Sequence, residues 1–168
     1  MALDKSMLKN SILNVLKSYP STAYLAAEGI ASAYYSYSSL ATDPQGGLPQ
    51  GLDVKKVNLI TALNDIFSVL SLEVSPKITQ LVEAFSNYWT GVVFVIPGGA
   101  GQSTVASLDG VEDLTSDLEE ILQNLDVNKT FEDKADELAD ALHDFTTKVY
   151  VSGQLNTTPP TPYSGYIS

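Results

Sequence analysis

The stretch Trp89–Thr104, WTGVVFVIPGGAGQST, is where the pattern of the chain changes. Before it, apolar residues recur at helical spacing. After Gly91, the run Val92–Ile96 is β-branched and aromatic, and Pro97-Gly98-Gly99 stops it. Such a run bounded by turn residues reads as a strand. PGGAGQST, Pro97–Thr104, then reads as a flexible loop. The period changes again at Thr147, where Val149, Val151 and Leu155 alternate with Lys148, Tyr150 and Ser152. The two junctions are alike: Trp89-Thr-Gly-Val-Val-Phe-Val and Phe145-Thr-Thr-Lys-Val-Tyr-Val each put an aromatic-Thr pair at the end of an apolar helix and then a strand. The expectation is a small antiparallel sheet in which Val92–Ile96 pairs with Val149–Leu155. A lone pair is marginal in water, and its open edges accept further strands.

Working outward, the remaining segments read as helices. Asp4 or Ser6 caps a first helix that Tyr19-Pro20 ends, because a residue before proline avoids the α region. A second runs from Ser21 to Leu40; it is Ala-rich and carries Tyr34, Tyr35 and Tyr37. TDPQGGLPQG, Thr42–Gly51, is a breaker loop. A third helix starts at Asp53 as cap and runs to Ser71, with Val57, Ile60, Leu63, Phe67 and Leu70 as its stripe. Ser75 as cap and Pro76 at the first position open a fourth, which buries Ile78, Leu81, Val82, Phe85 and Trp89. Val111, Leu114, Leu118, Ile121, Leu122 and Leu125 space a fifth. Thr130 with Asp133 caps a sixth, which carries Phe131 through Phe145. The tail, NTTPPTPYSGYIS, has three prolines and no period.

The reading is therefore mainly α: a bundle of five to six helices, a two-stranded antiparallel β element, and an extended C-terminal tail. Residues 1–155 form one helical domain and 156–168 the proline-rich tail. At 168 residues a chain of this kind fills a core without metal or disulfide.

Composition narrows the function. There are 20 acidic residues against nine Lys, no Arg, and a net charge of −11. Bidentate phosphate and guanine contacts want the guanidinium fork, so no direct nucleic-acid partner is expected. Cys is absent, which excludes thiolate metal sites and a Cys nucleophile. No apolar run reaches membrane-spanning length, and the N-terminus does not read as a signal peptide. Residues 109–144 hold 13 acids and two bases. That segment reads as a solvated helix face, or as an acidic surface offered to a basic partner.

The search for chemistry returns little. Asp136, Asp140 and His143, at spacings of four and three, offer a divalent-cation face; the alternative is a surface histidine beside acids. A hydrolase would need His143 as its base, but there is no G-x-S-x-G elbow. Gly98–Ser103 lacks the Lys of a phosphate loop. Asp126, Asn128, Thr130, Glu132 and Glu137 fit a calcium-loop register, but Phe131 stands where glycine is required. No catalytic residue, cofactor or metal is assigned. The candidate residues are assembly contacts: Val92, Phe94, Ile96, Pro97, Val149, Val151, Leu155, Pro159, Pro160 and Tyr163.

The order of motifs is similar to that of a known group. AAEGIASAYYSYSSLA (Ala26–Ala41), VNLITALNDIF (Val57–Phe67), AFSNYWTGVVF (Ala84–Phe94) and ELADALHDFTTKVYV (Glu137–Val151) follow one another. This resembles the small virion structural proteins of tailed bacteriophages, from the neck, tail and baseplate region. The resemblance implies a part that assembles rather than catalyses. Its partners would be copies of itself and other virion proteins, with no membrane. Its location would be the virion, and the host cytoplasm before assembly. The alternative is a cytosolic acidic module, or nucleic-acid mimic, docking residues 109–144 on a basic partner.

Overall fold

The computed structural model describes residues 3–69, 73–123 and 128–168. Its helices are α1 (Lys5–Lys17), α2 (Ala23–Ser38), α3 (Leu52–Ser68), α4 (Val74–Trp89), α5 (Val111–Gln123) and α6 (Phe131–Thr147). Its strands are β1 (Leu48–Gln50), β2 (Val93–Val95), β3 (Gly101–Leu108), β4 (Val149–Leu155) and β5 (Thr161–Tyr166). The strands form one antiparallel sheet in the order β1-β2-β3-β4-β5. The fold is mixed α and β. A helical bundle with a two-stranded element and a loose tail is the wrong description.

Three details carry that correction. Val92–Ile96 and Val149–Leu155 do not pair with each other; β3 lies between them, joined to Val93–Val95 on one side and Val149–Leu155 on the other. The segment expected as a loop from Pro97 to Thr104 is a short 3-10 turn, Pro97–Gly99, followed by the start of β3. The tail supplies β5, and Ile167 N–H still donates to the Val149 carbonyl at 3.1 Å. Periodicity does not reveal β3 because its first inward positions hold Gly101 and Ser103, and the apolar Val105 comes only after them. The glycines have a packing reason. A side chain at Gly153 would collide with the backbone of Gln102 and Ser103.

The chain is built from three helical hairpins threaded on this sheet. α1–α2, α3–α4 and α5–α6 pack in pairs, and each hairpin's second helix runs into the next strand. The likeness of the two aromatic-Thr junctions is thus architectural: both mark a hairpin feeding a strand. The C-terminal ends of α2, α4 and α6 lead into β1, β2 and β4, so their N-terminal ends lie away from the sheet. The α1–α6 register is fixed by Lys5–Asp140, Lys9–Asp136 and Lys17–Glu132 ion pairs. That between α2 and α3 is marked by the Tyr35 hydroxyl on Asp53 at 2.7 Å. Helices α1 and α2 approach closely where Gly29 faces Val15.

Helix starts follow local chemistry, with two shifts. Asp4 caps α1 and Thr22 caps α2, while Thr130 and Asp133 form a reciprocal capping box on α6. Asp53 does not cap α3; Gly51, at φ 74°, does, and Asp53 is used by Tyr35. α4 starts at Val74 after Glu73, so Ser75 and Pro76 lie inside its first turn. Leu70, Ser71, Leu125 and Asp126 of the expected stripes and calcium register fall outside the described residues.

Candidate assembly surfaces

Inside the bundle the polar atoms of the large aromatics are matched. Trp89 Nε1–H donates to the Tyr34 hydroxyl at 2.8 Å. Thr146 uses its single hydroxyl proton on the Leu142 carbonyl at 2.6 Å, so Tyr34 donates to Thr146, 2.7 Å away. Ser38 is bonded to the Tyr35 carbonyl, and Tyr88 donates to Ser38 at 2.7 Å. Tyr37 meets His143 Nδ1 at 2.6 Å. Burial pushes the hydroxyls of Tyr34, Tyr37 and Tyr88 far above the usual phenol range. These aromatics are core, as a buried Tyr or Trp with a matched polar tip should be.

The candidate cation face does not converge. Asp136 and Asp140 face Lys9 and Lys5 of α1, while His143 turns to Tyr37. Among the described residues, no group of three or more His, Asp or Glu is placed to hold a metal ion. None of the described helices is long and apolar enough to cross a membrane.

The acidic segment becomes the α5–α6 hairpin. Five of its acids are engaged within the subunit, by Lys5, Lys9, Lys17, Lys129 and Lys148. Between the two helices, Asp117, Glu120, Glu137 and Asp144 line a groove of about 220 Å³. Partial burial, then the neighbouring Asp144, Asp113 and Glu120, raise the Asp117 carboxyl.

Between the described helices lies apolar space. A cavity of about 590 Å³ is lined by residues from all six helices, among them Leu16, Leu63, Phe85, Leu118 and Leu138. Tyr19 stands at its mouth, edge-on to Phe131 with ring centres 5.4 Å apart. Its backbone is left-handed, at φ 48°, which a bulky residue adopts only when its surroundings hold it there.

No family model, curated protein or solved structure matches the chain. The surfaces must therefore be read from their own chemistry.

The inner face of the sheet packs on the helices through Phe94, Val149 and Val151, all fully buried. A buried Asp43 fixes the Thr42–Gly47 turn beneath it. Asp43 accepts from the Gln45 and Gly47 N–H groups, from Ser103 Oγ at 2.7 Å and from the Tyr163 hydroxyl at 2.6 Å. Burial opposes its charge, but the bonds from Tyr163, Ser103, Gly47 and Gln45 outweigh burial and hold the carboxyl below its ordinary range. The outer face presents Gln102 and Thr104 of β3, Ser152 and Gln154 of β4, and Ser164 of β5, all exposed. A groove of about 520 Å³ runs over it. Tyr150 and Tyr166, paired across β4 and β5, stand edge-on with ring centres 5.1 Å apart.

The candidate contact residues divide accordingly. Val92, Phe94, Val149 and Val151 are buried inside the subunit. Ile96 and Leu155 are half-buried, and Tyr163 is held by Asp43. Pro97, Pro159 and Pro160 are exposed, the last two in the β4–β5 turn. The outer-face residues were not singled out from the sequence, although it carries a signal for them. Residues 89–108 and 149–168 contain no charged residue, in a chain with 29.

Proposed function

We propose that this chain is a structural subunit of a tailed-bacteriophage virion, from the neck, tail or baseplate, acting by assembly with copies of itself and other virion proteins. The observation that carries the reading is the pairing, among the described residues, of two different surfaces: an uncharged sheet face, and an apolar cavity edged by Tyr19. A subunit with two distinct surfaces can join two neighbours at once. The order of motifs along the chain supports the same assignment, and nothing in it calls for a cofactor. The location that follows is the virion, with host cytoplasm before assembly.

Mass spectrometry of purified particles from the phage that encodes the chain tests this. Recovery of the chain in stoichiometric amount supports a structural role. Its absence from mature particles defeats that role.

A further inference from the structure

The five strands contain no Asp, Glu or Lys. Among the described residues every Asp, Glu and Lys of a molecule with net charge −11 lies on its helices and connections. The edges of exposed sheets ordinarily carry charges that stop them from pairing with other chains. Here none is present; the exposed side chains Gln102, Thr104, Ser152, Gln154 and Ser164 are neutral and small or medium in size, and Leu48 and Tyr166 add exposed uncharged bulk at the face's margins.

We propose that this outer face docks a second copy of the chain, sheet against sheet, about a twofold axis. The proposal deepens the assembly reading above and rests on it for the identity of the partner. Three observations carry it. Copies with this net charge repel one another over their helical surfaces, and the sheet, with only Asp109 at its Tyr166 end, is where they can approach with the fewest opposing charges. Amide and hydroxyl groups both donate and accept, so a surface of Gln, Thr and Ser is self-complementary, as an isologous interface requires. Addition at the β5 edge is hindered instead. Ile167 N–H points to β4 and Ser168 N–H to Thr42, so the even-numbered residues of β5 face outward along the edge. One of them is Pro162, which has no N–H to give, and Thr42 already occupies the end of that edge.

Sedimentation velocity on the purified full chain, at rising concentration and at low and high salt, is the test. The expected result is a dimer that tightens as salt rises, because salt screens the repulsion between the two bodies. Ser152→Asp, an exposed position, should fold as the wild type does by circular dichroism and weaken dimerisation about a hundredfold, since the twofold axis sets like charges against each other. Mixing Ser152→Asp with Ser152→Lys chains should restore a heterodimer. A monomer at every concentration, a dimer that loosens with salt, or a Ser152→Asp dimer as tight as the wild type would each overturn the proposal. Particles separate it from the virion assignment. A Ser152→Asp chain that dimerises as tightly as the wild type and enters particles at wild-type level overturns the sheet contact and leaves that assignment standing. A salt-tightened dimer absent from particles overturns the assignment and supports the face.

Discussion

The carboxylate of Asp43 accepts a hydrogen bond from the hydroxyl of Tyr163, 2.6 Å away and 120 residues further along the chain. With Ser103 on the same oxygen, it ties the turn after α2 to β3 and β5. Replacing Asp43 with Ala leaves four donors facing a carboxylate that is gone. Unsatisfied groups of this kind cost about 1–3 kcal/mol each at most, and relaxation recovers part, so a total of about 3 kcal/mol is expected. Urea unfolding of wild type and Asp43→Ala measures it.

The same carboxylate makes stability depend on acid. Its folded pKa lies below the ordinary 3.8. The stabilisation is therefore complete above that value and lost as pH falls through the lower folded one. Asp43→Asn cannot titrate. The difference in stability between wild type and Asp43→Asn should be constant near neutrality and shrink below about pH 4. A difference that stays constant down to pH 2 would mean that Asp43 is not held as described.

At the alkaline end the tyrosines act. Tyr34, Tyr37 and Tyr88 have hydroxyls raised well above 10 by burial. Their contribution is complete below the unfolded value and lost as pH rises toward the folded ones. Of the nine tyrosines, at least these three should stay un-ionised in the folded protein. Ultraviolet titration should show them appearing only with unfolding. Tyr34→Phe removes the acceptor for Trp89 and the donor to Thr146, so it should cost about 1–3 kcal/mol. It should also shift the emission of Trp89, the single tryptophan.

How much of this was legible depends on where the signal sits. The helices show themselves because Ile78, Val82, Phe85 and Trp89 recur at helical spacing and are all buried. The Thr130–Asp133 box is likewise local. The sheet is not local. β3 faces inward with glycine and serine at its first positions, and β5 contains Pro162 and Gly165, residues that argue against a strand when read alone. Both strands are tied to a buried aspartate far away in sequence, and no period records that. The uncharged blocks were visible in composition. They acquire meaning only once β2 to β5 lie side by side and turn alternate residues of those blocks to one surface.

The three ion pairs between α1 and α6 join partly exposed groups. Salt screens such pairs. Changing Lys5, Lys9 and Lys17 together to Gln should lower the melting temperature at low salt, and the gap from wild type should narrow as salt is added. It also leaves Asp140, Asp136 and Glu132 without those partners on an already acidic face. An equal loss at low and high salt would assign the effect to the lysine stems and their packing.

Truncation after Leu155 separates a tail from a strand. A loose tail can be removed without cost to folding. Here the cut deletes β5, with its ladder to β4, the Tyr163 bond to Asp43 and the reciprocal backbone bonds between Thr42 and Ser168. It also uncovers β4 as a new edge, with the buried Val149 and Val151 close behind it, and such an edge invites aggregation. The shortened chain should be insoluble or rapidly degraded. Tyr163→Phe, which removes one donor and keeps the strand, should remain folded with a loss of about 1 kcal/mol. Limited proteolysis and circular dichroism on both variants decide the matter. A truncated chain that resists protease and keeps its melting temperature would show that β5 adds nothing to the fold.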